Sequence, residues 1–310
     1  MTSSREGQTF LERGSRLIAY VNFVKLPHTL FALPFALVGV VLASYRRPLR
    51  LGHVGWVILA FTAARFAAMA FNRIVDRDID ARNPRTAMRE LPQGVLSLSE
   101  AWISVLIASA VFVCSAAMLN RVCLWLSPVA LAWVLFYSYT KRFTRWAHVA
   151  LGAGLAIAPV GGYLAVAGAW SRPWWMLVAL AAGVMTWVAG FDVLYSMADA
   201  EFDRANALHS VPAMLGEASA VKVARMLHVA TVVALALVGV ATHAGLFYGI
   251  GVGVAGAILL YEHSLVRPDD LSKLDTAFFA MNGMMSIAFF FFVLVERVRP
   301  LILLGLRGGR

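Results

Sequence analysis

Long apolar stretches separated by short polar ones run along the chain from about residue 27 to the C-terminal tail. They fall near 27–45, 53–73, 100–119, 122–140, 147–168, 173–194, 222–242, 245–262 and 276–296. Each approaches the roughly 20 residues that an α-helix needs to cross a bilayer. The pattern therefore predicts an all-α, polytopic membrane protein of about nine transmembrane helices. Residues 9–25 read as an interfacial helix, with Phe10, Leu17, Ile18 and Val21 interrupted by Arg13 and Arg16. The run from Leu26 to Tyr45 contains Pro27 and Pro34, is long for a signal-peptide core and is followed by further spans, so it reads as a first helix. The predicted organisation is a polar segment 1–26, one transmembrane domain 27–296 and a basic tail 297–310.

Composition agrees with that pattern. Of 310 residues, 60% are hydrophobic and 14% charged, with a mean hydropathy of +0.74; a soluble domain carries roughly 25% charged residues. The net charge of +10 sits in short inter-helix loops and tails, which argues against a nucleic-acid partner and for a lipid bilayer. Most of these charges fall on one side: Arg16 and Lys25, the run Arg73 to Arg89, Lys141 to Arg145, Arg204 to Arg225, and Arg267 with Lys273. Arg46, Arg47, Arg50, Arg121, Arg172 and the tail fall on the other. Basic loops stay cytoplasmic, so the richer side is predicted to face the cytoplasm. Cys114 and Cys123 have neither disulfide-framework nor metal-site spacing.

Two acidic clusters interrupt this picture, both on the richer side. The first is Asn72-Arg-Ile-Val-Asp76-Arg-Asp78-Ile-Asp80; the second is Asp192-Val-Leu-Tyr195-Ser-Met-Ala-Asp199-Ala-Glu-Phe-Asp203. On a helix, positions four apart share a face, which groups Asn72 with Asp76 and Asp80, and Tyr195 with Asp199 and Asp203. Asn72, Asp76, Asp80 and Asn83 match Tyr195, Asp199, Asp203 and Asn206 at a constant offset of 123 residues, as two related halves would. Ionisable groups at a membrane edge are costly and mark sites. Arg73, Arg77, Arg82 and Arg204 would balance the carboxylates in a purely structural cluster. A diphosphate held by two Mg²⁺ ions explains two opposed sets better, because Mg²⁺ takes one or two carboxylates and completes its shell with water and phosphate oxygens. Arg77, Lys141 and Arg142 are the candidates for binding outer phosphate oxygens.

With these motifs the chain resembles the UbiA-type intramembrane prenyltransferases over about residues 20–295. Tyr137-Ser-Tyr-Thr-Lys141-Arg142, Leu151-Gly-Ala-Gly, Ala158-Pro-Val-Gly-Gly-Tyr163 and Arg82-Asn-Pro-Arg-Thr86 add to the likeness. The resemblance implies nine helices around a central cavity with cytoplasmic cap loops, in a bacterial inner membrane. It also implies Mg²⁺-dependent transfer of a polyprenyl group from polyprenyl diphosphate to a small aromatic acid of the 4-hydroxybenzoate or dihydroxynaphthoate type, in ubiquinone or menaquinone biosynthesis. Asn72, Asp76 and Asp80 would then hold one metal and Asp192, Asp199 and Asp203 the other. Asp76, Asp199 and Tyr195 would be catalytic, with Tyr195 orienting the diphosphate. Arg73 and His209-Ser210 depart from the pattern of many 4-hydroxybenzoate enzymes. The segment Lys25 to Ala36 and the Arg89-Glu-Leu-Pro loop resemble the branch linked to futalosine-route menaquinone.

Arg65 precedes Asn72 by seven residues on the same face. It is read either as an aromatic-acceptor residue, as a diphosphate ligand, or as a counter-charge for the carboxylates. His148 reads as a structural histidine, Phe289–Phe292 as lipid-facing surface, and Met281, Met284 and Met285 as packing. The rival to an enzyme is a transporter using intramembrane carboxylates, whose acids should lie near mid-helix. Within the family, haem, chlorophyllide or glycerol phosphate are the alternative acceptors.

Overall fold

The computed structural model describes residues 16–25 and 29–308. Arg16–Phe23 (α1) is helical, whereas Phe10 and Arg13 of the expected interfacial helix lie outside the described residues. Eight helices have the length and hydropathy to span a membrane, joined by the shorter apolar α2. In order they are α2 (Thr29–Ala43), α3 (Leu51–Arg82), α4 (Leu98–Leu119), α5 (Arg121–Thr140), α6 (Ala147–Ala167) and α7 (Trp175–Tyr195). A 3₁₀ turn (Ser196–Asp199) leads to the short α8 (Ala200–Ala205) and α9 (Val211–Leu215), followed by α10 (Glu217–Thr242) and α11 (Leu246–Leu265). Finally α12 (Leu274–Thr276) passes through a π turn (Ala277–Met281) into α13 (Asn282–Gly308). The expected segments all coincide with these helices, the first being shorter and α3 much longer than its apolar stretch.

α2 is the central post of the fold. From Ala32 to Ala43 nearly every side chain is buried, packed against α6, α13 and α3. The contact with α6 is backbone to backbone: a Cβ on Gly39 would overlap the Pro159 carbonyl, and one on Gly162 the Ala36 carbonyl. Without a hydrophobic drive between helices in lipid, such small-residue contacts supply the packing. Gly162→Val is therefore expected to destabilise by at least the ~1–3 kcal/mol typical of overpacking, read as a lowered melting temperature in detergent. Around the post, Phe35 packs on Trp187 (ring centroids 4.8 Å) and on Phe289 (5.7 Å). Phe289 is fully buried, so the Phe289–Phe292 run is not uniformly lipid-facing; Phe291 carries the exposed face. Four consecutive helical residues sweep the whole circumference, and one of them must point inward. Met281 and Met285 are buried as expected, while Met284 is exposed. The outward faces of α4, α5, α10 and α11 expose Leu106, Trp125, Met226 and Leu260, as a lipid-bathed bundle requires.

α3 positions the site. Its 32 residues reach about 48 Å at 1.5 Å per residue, well beyond a hydrocarbon layer of roughly 30 Å. The last turns, which carry Asp76 and Asp80, therefore project past the apolar slab. The loop 83–97 folds back over them before a capping box, Ser97 with Glu100, starts α4.

Candidate active site

Asn72, Asp76 and Asp80 line one wall of a polar cavity of about 290 Å³. Both carboxylates are buried and paired with cations of the chain. Asp76 accepts from Lys141 Nζ at 2.6 Å, Arg142 Nη2 at 3.1 Å and Asn72 Nδ2 at 3.1 Å. Asp80 Oδ1 accepts from Arg89 Nη1 at 2.7 Å, while Oδ2 has no hydrogen-bond partner and lies 4.0 Å from Arg73 Nη1.

The opposite wall is the end of α7 and the turn beyond it. The helix breaks after Tyr195, so Tyr195, Asp199 and Asp203 do not lie along one continuous face as the four-residue spacing predicts. The 3₁₀ turn closes up with three residues per turn, and all three side chains still reach the cavity. Asp199 is gripped from the other half of the chain: Arg85 Nε donates to Oδ1 at 2.9 Å, its Nη2 pairs with Oδ2, and Asn83 Nδ2 donates to Oδ1 at 2.9 Å. Asp203 accepts from Ser210 Oγ at 2.9 Å. Val211 N–H donates to His148 Nε2, so the ring proton sits on Nδ1 and is donated to Asp192 Oδ2 at 2.7 Å. Tyr195 stacks on Phe278 (centroids 4.0 Å, 27°) and has the Arg85 guanidinium 4.8 Å from its ring centroid. The offset-123 likeness does not extend to Asn83 and Asn206, since Asn83 bridges to Asp199 whereas Asn206 bonds to its own helix at Phe202 O.

The cavity thus brings together Asn72, Asp76, Asp80, Asp192, Tyr195, Asp199, Asp203, Lys141 and Arg65. Arg142 touches Asp76 from behind, braced on the Ser138 and Val75 carbonyls. Arg77 is not brought to the cavity. It pairs with exposed Asp78 (3.1 Å) on the outer face, because neighbouring residues on a helix point about 100° apart. Tyr137, Arg85 and Arg89, quoted from the sequence only as members of motifs, also line the site, as does Phe278, which carried no sequence signal.

Beneath the polar cavity lies a second, apolar chamber of about 740 Å³ between α3, α4, α5, α6 and α7. Arg65, Met69, Tyr137, Leu151 and Leu155 line both spaces, so the two adjoin. The chamber extends to Leu119 and Cys123, at the far ends of α4 and α5. Arg65 stands at the junction, and its Nε has no hydrogen-bond partner.

Does this donor set suit a divalent cation? Among the described residues, no three acidic or histidine side chains converge as a ready-made metal site. The residues nevertheless fit Mg²⁺, which is held by one or two carboxylates and completed by water and phosphate. Each wall offers hard oxygen donors, and the buried Asp80 Oδ2 without a hydrogen-bond partner is such a donor.

Comparison with known proteins decides the family. Residues 32–292 match the UbiA prenyltransferase family model. The chain belongs to the UbiA prenyltransferase family. A UbiA homologue from Aeropyrum pernix is similar in structure, with a TM-score of 0.76 and 32% identity over 88% of this chain and 98% of that one. A second, from Archaeoglobus fulgidus bound to DMAPP and Mg²⁺, shares the UbiA fold at a TM-score of 0.67 and 20% identity, over 90% of this chain and 98% of its own. In sequence, the 4-hydroxybenzoate octaprenyltransferase of Aromatoleum aromaticum is 30% identical over 73% of this chain and 75% of its own length. That of Pseudomonas aeruginosa is 29% identical over 71% and 73%.

Proposed function

We propose that this protein transfers a polyprenyl group from polyprenyl diphosphate to an aromatic quinone precursor of the 4-hydroxybenzoate or dihydroxynaphthoate type. The observation that carries this reading is a carboxylate-and-arginine basin that adjoins a long apolar chamber and shares part of its lining, with Arg65 at their junction. The diphosphate lies in the basin and the isoprenoid chain in the chamber. The position of the carboxylates supports an enzyme over a cation-coupled transporter: they cluster where helices leave the apolar slab rather than at mid-membrane. The names of the octaprenyltransferase relatives support the aromatic acceptor, and the Mg²⁺-bound neighbour supports the metal.

Asn72, Asp76 and Asp80 on one wall, and Asp192, Asp199 and Asp203 on the other, are the oxygen donors for Mg²⁺. When bound, Mg²⁺ neutralises negative charge that builds on the departing diphosphate. Lys141, Arg85 and Arg89 exchange their carboxylate partners for phosphate oxygens. Tyr195, held by its ring contacts, orients the diphosphate against the chain. The allylic C1–O bond breaks with its electron pair leaving on the diphosphate. A ring carbon of the acceptor then bonds to C1, and the ring proton is released to base or solvent. Arg65 pairs with the acceptor carboxylate and fixes which ring carbon faces C1.

Purified protein with a polyprenyl diphosphate and either acid should yield the C-prenylated acid, lose activity in EDTA and regain it with Mg²⁺. Metal-independent turnover, or none with either acid, would overturn the reading. The excess of basic residues around the basin supports a cytoplasmic orientation at the inner membrane. A cysteine introduced in the 83–95 loop should react with an impermeant reagent from that side alone, and labelling from outside intact cells would reverse the orientation.

A further inference from the structure

Behind the aromatic wall of the basin lies a cluster of buried polar groups that touches neither diphosphate site nor chamber. Asn282 and Glu262 are 0% and 1% exposed, and Trp187 is fully buried. Trp187 Nε1 donates to Asn282 Oδ1 at 2.6 Å, and Asn282 Nδ2 donates to Glu262 Oε1 at 3.1 Å. The other Glu262 oxygen has no hydrogen-bond partner and lies 3.9 Å from His228 Nδ1. Such groups are expensive inside a membrane protein, and their retention signals a task.

The task is visible at the π turn. There the backbone N–H of Asn282 bonds to Phe279 O. The Asn282 side chain folds back on the turn and donates to Phe278 O at 3.0 Å and Ala277 O at 3.3 Å. π turns widen a helix by one residue and recur at functional sites. Here the widened turn presents Phe278 to the basin, stacked on Tyr195 and edge-on to Phe191 at 5.3 Å.

We infer that Asn282, backed by Glu262 and Trp187, is a positioning residue that holds the π turn open and thereby fixes the Phe278–Tyr195 stack at the edge of the carboxylate basin. The function of that stack rests on the prenyl-transfer reading above; the clamp itself does not.

The test separates the two. In protein labelled with 3-fluorotyrosine, the Tyr195 ¹⁹F resonance, assigned by its loss in Tyr195→Phe, senses the ring current of Phe278. Phe278→Leu and Asn282→Leu should both move it in the same direction. A Tyr195 resonance unmoved by Asn282→Leu overturns the clamp. Should Asn282→Leu fail to fold, Trp187→Phe, which removes the indole N–H donor to Asn282 together with part of the buried ring, must produce a shift of the same sign. In turnover, Asn282→Leu and Phe278→Leu should each lose ~10- to 100-fold, the scale of a misplaced reacting group. The KM for prenyl diphosphate should stay within about twofold, and Phe278→Tyr should restore the rate. The double variant should be no slower than either single one, because both act through the same stack; losses that multiply overturn the inference. Wild-type protein inactive with every acceptor would reject the prenyl-transfer reading and leave the fluorine result to decide the clamp.

Discussion

Asp76→Asn and Asp199→Ala are each expected to lower turnover at saturating substrates by ~10²- to 10³-fold or more, the scale of about 3–4 kcal/mol for one electrostatic catalytic group. The side chains differ in their surroundings, and that makes the pair informative. Asp76 sits between Lys141 and Arg142 on the α3 wall, and Asp199 is gripped by Arg85 and Asn83 across the cavity. If the carboxylates served only to neutralise these cations, their removal would weaken the fold and leave chemistry intact. Lys141 and Arg142 keep about a third of their side-chain surface exposed, so each can be hydrated once its partner is gone. The Asp76 variant should therefore stay folded in detergent and lose activity. A large fall in melting temperature with near-normal turnover would make the cluster structural and sink the metal assignment.

Much of this arrangement was legible in the sequence, for reasons that differ residue by residue. A membrane span must be apolar over its whole length, so the nine segments announce themselves and their helices follow. Asn72, Asp76 and Asp80 sit on one unbroken helix, where four-residue spacing translates directly into a shared wall. The same rule, applied strictly, places Arg77 about 100° away from Asp76, and its outward pairing with Asp78 follows. It also places Arg73, seven residues before Asp80, on the same side of the helix as Asp80, where it lies buried. Other features had no local signal. Ser-Met-Ala-Asp does not announce a 3₁₀ break, and the grips of Arg85 on Asp199 and Lys141 on Asp76 join residues 114 and 65 positions apart. Such pairings are products of the packed bundle. Phe278 and Asn282 were equally hidden, because a π turn shifts the helical register from which their facing would be read.

Arg65 offers the second large effect. Its guanidinium stands where polar basin and apolar chamber meet, and its Nε lacks a hydrogen-bond partner. A buried cationic fork without a full set of acceptors is unsatisfied until an anion arrives. An aromatic acid lying across the junction would bring its carboxylate to Arg65 and its electron-rich ring to the allylic carbon, which delivers both binding and orientation. Arg65→Ala is then expected to reduce kcat/KM for the acceptor by ~30-fold to several thousand-fold, matching about 2–5 kcal/mol for truncating one partner of a buried charge pair. Arg65→Lys should raise the acceptor KM more than the prenyl-diphosphate KM, because an ammonium cannot reproduce the planar two-point contact. Steady-state kinetics with each substrate varied in turn discriminates the possibilities. Equal effects on both substrates would assign Arg65 to the diphosphate. No effect on either would leave it a counter-charge for the carboxylates, and the acceptor would have to be anchored by another group at the junction, with Tyr137 the other polar side chain that lines both spaces.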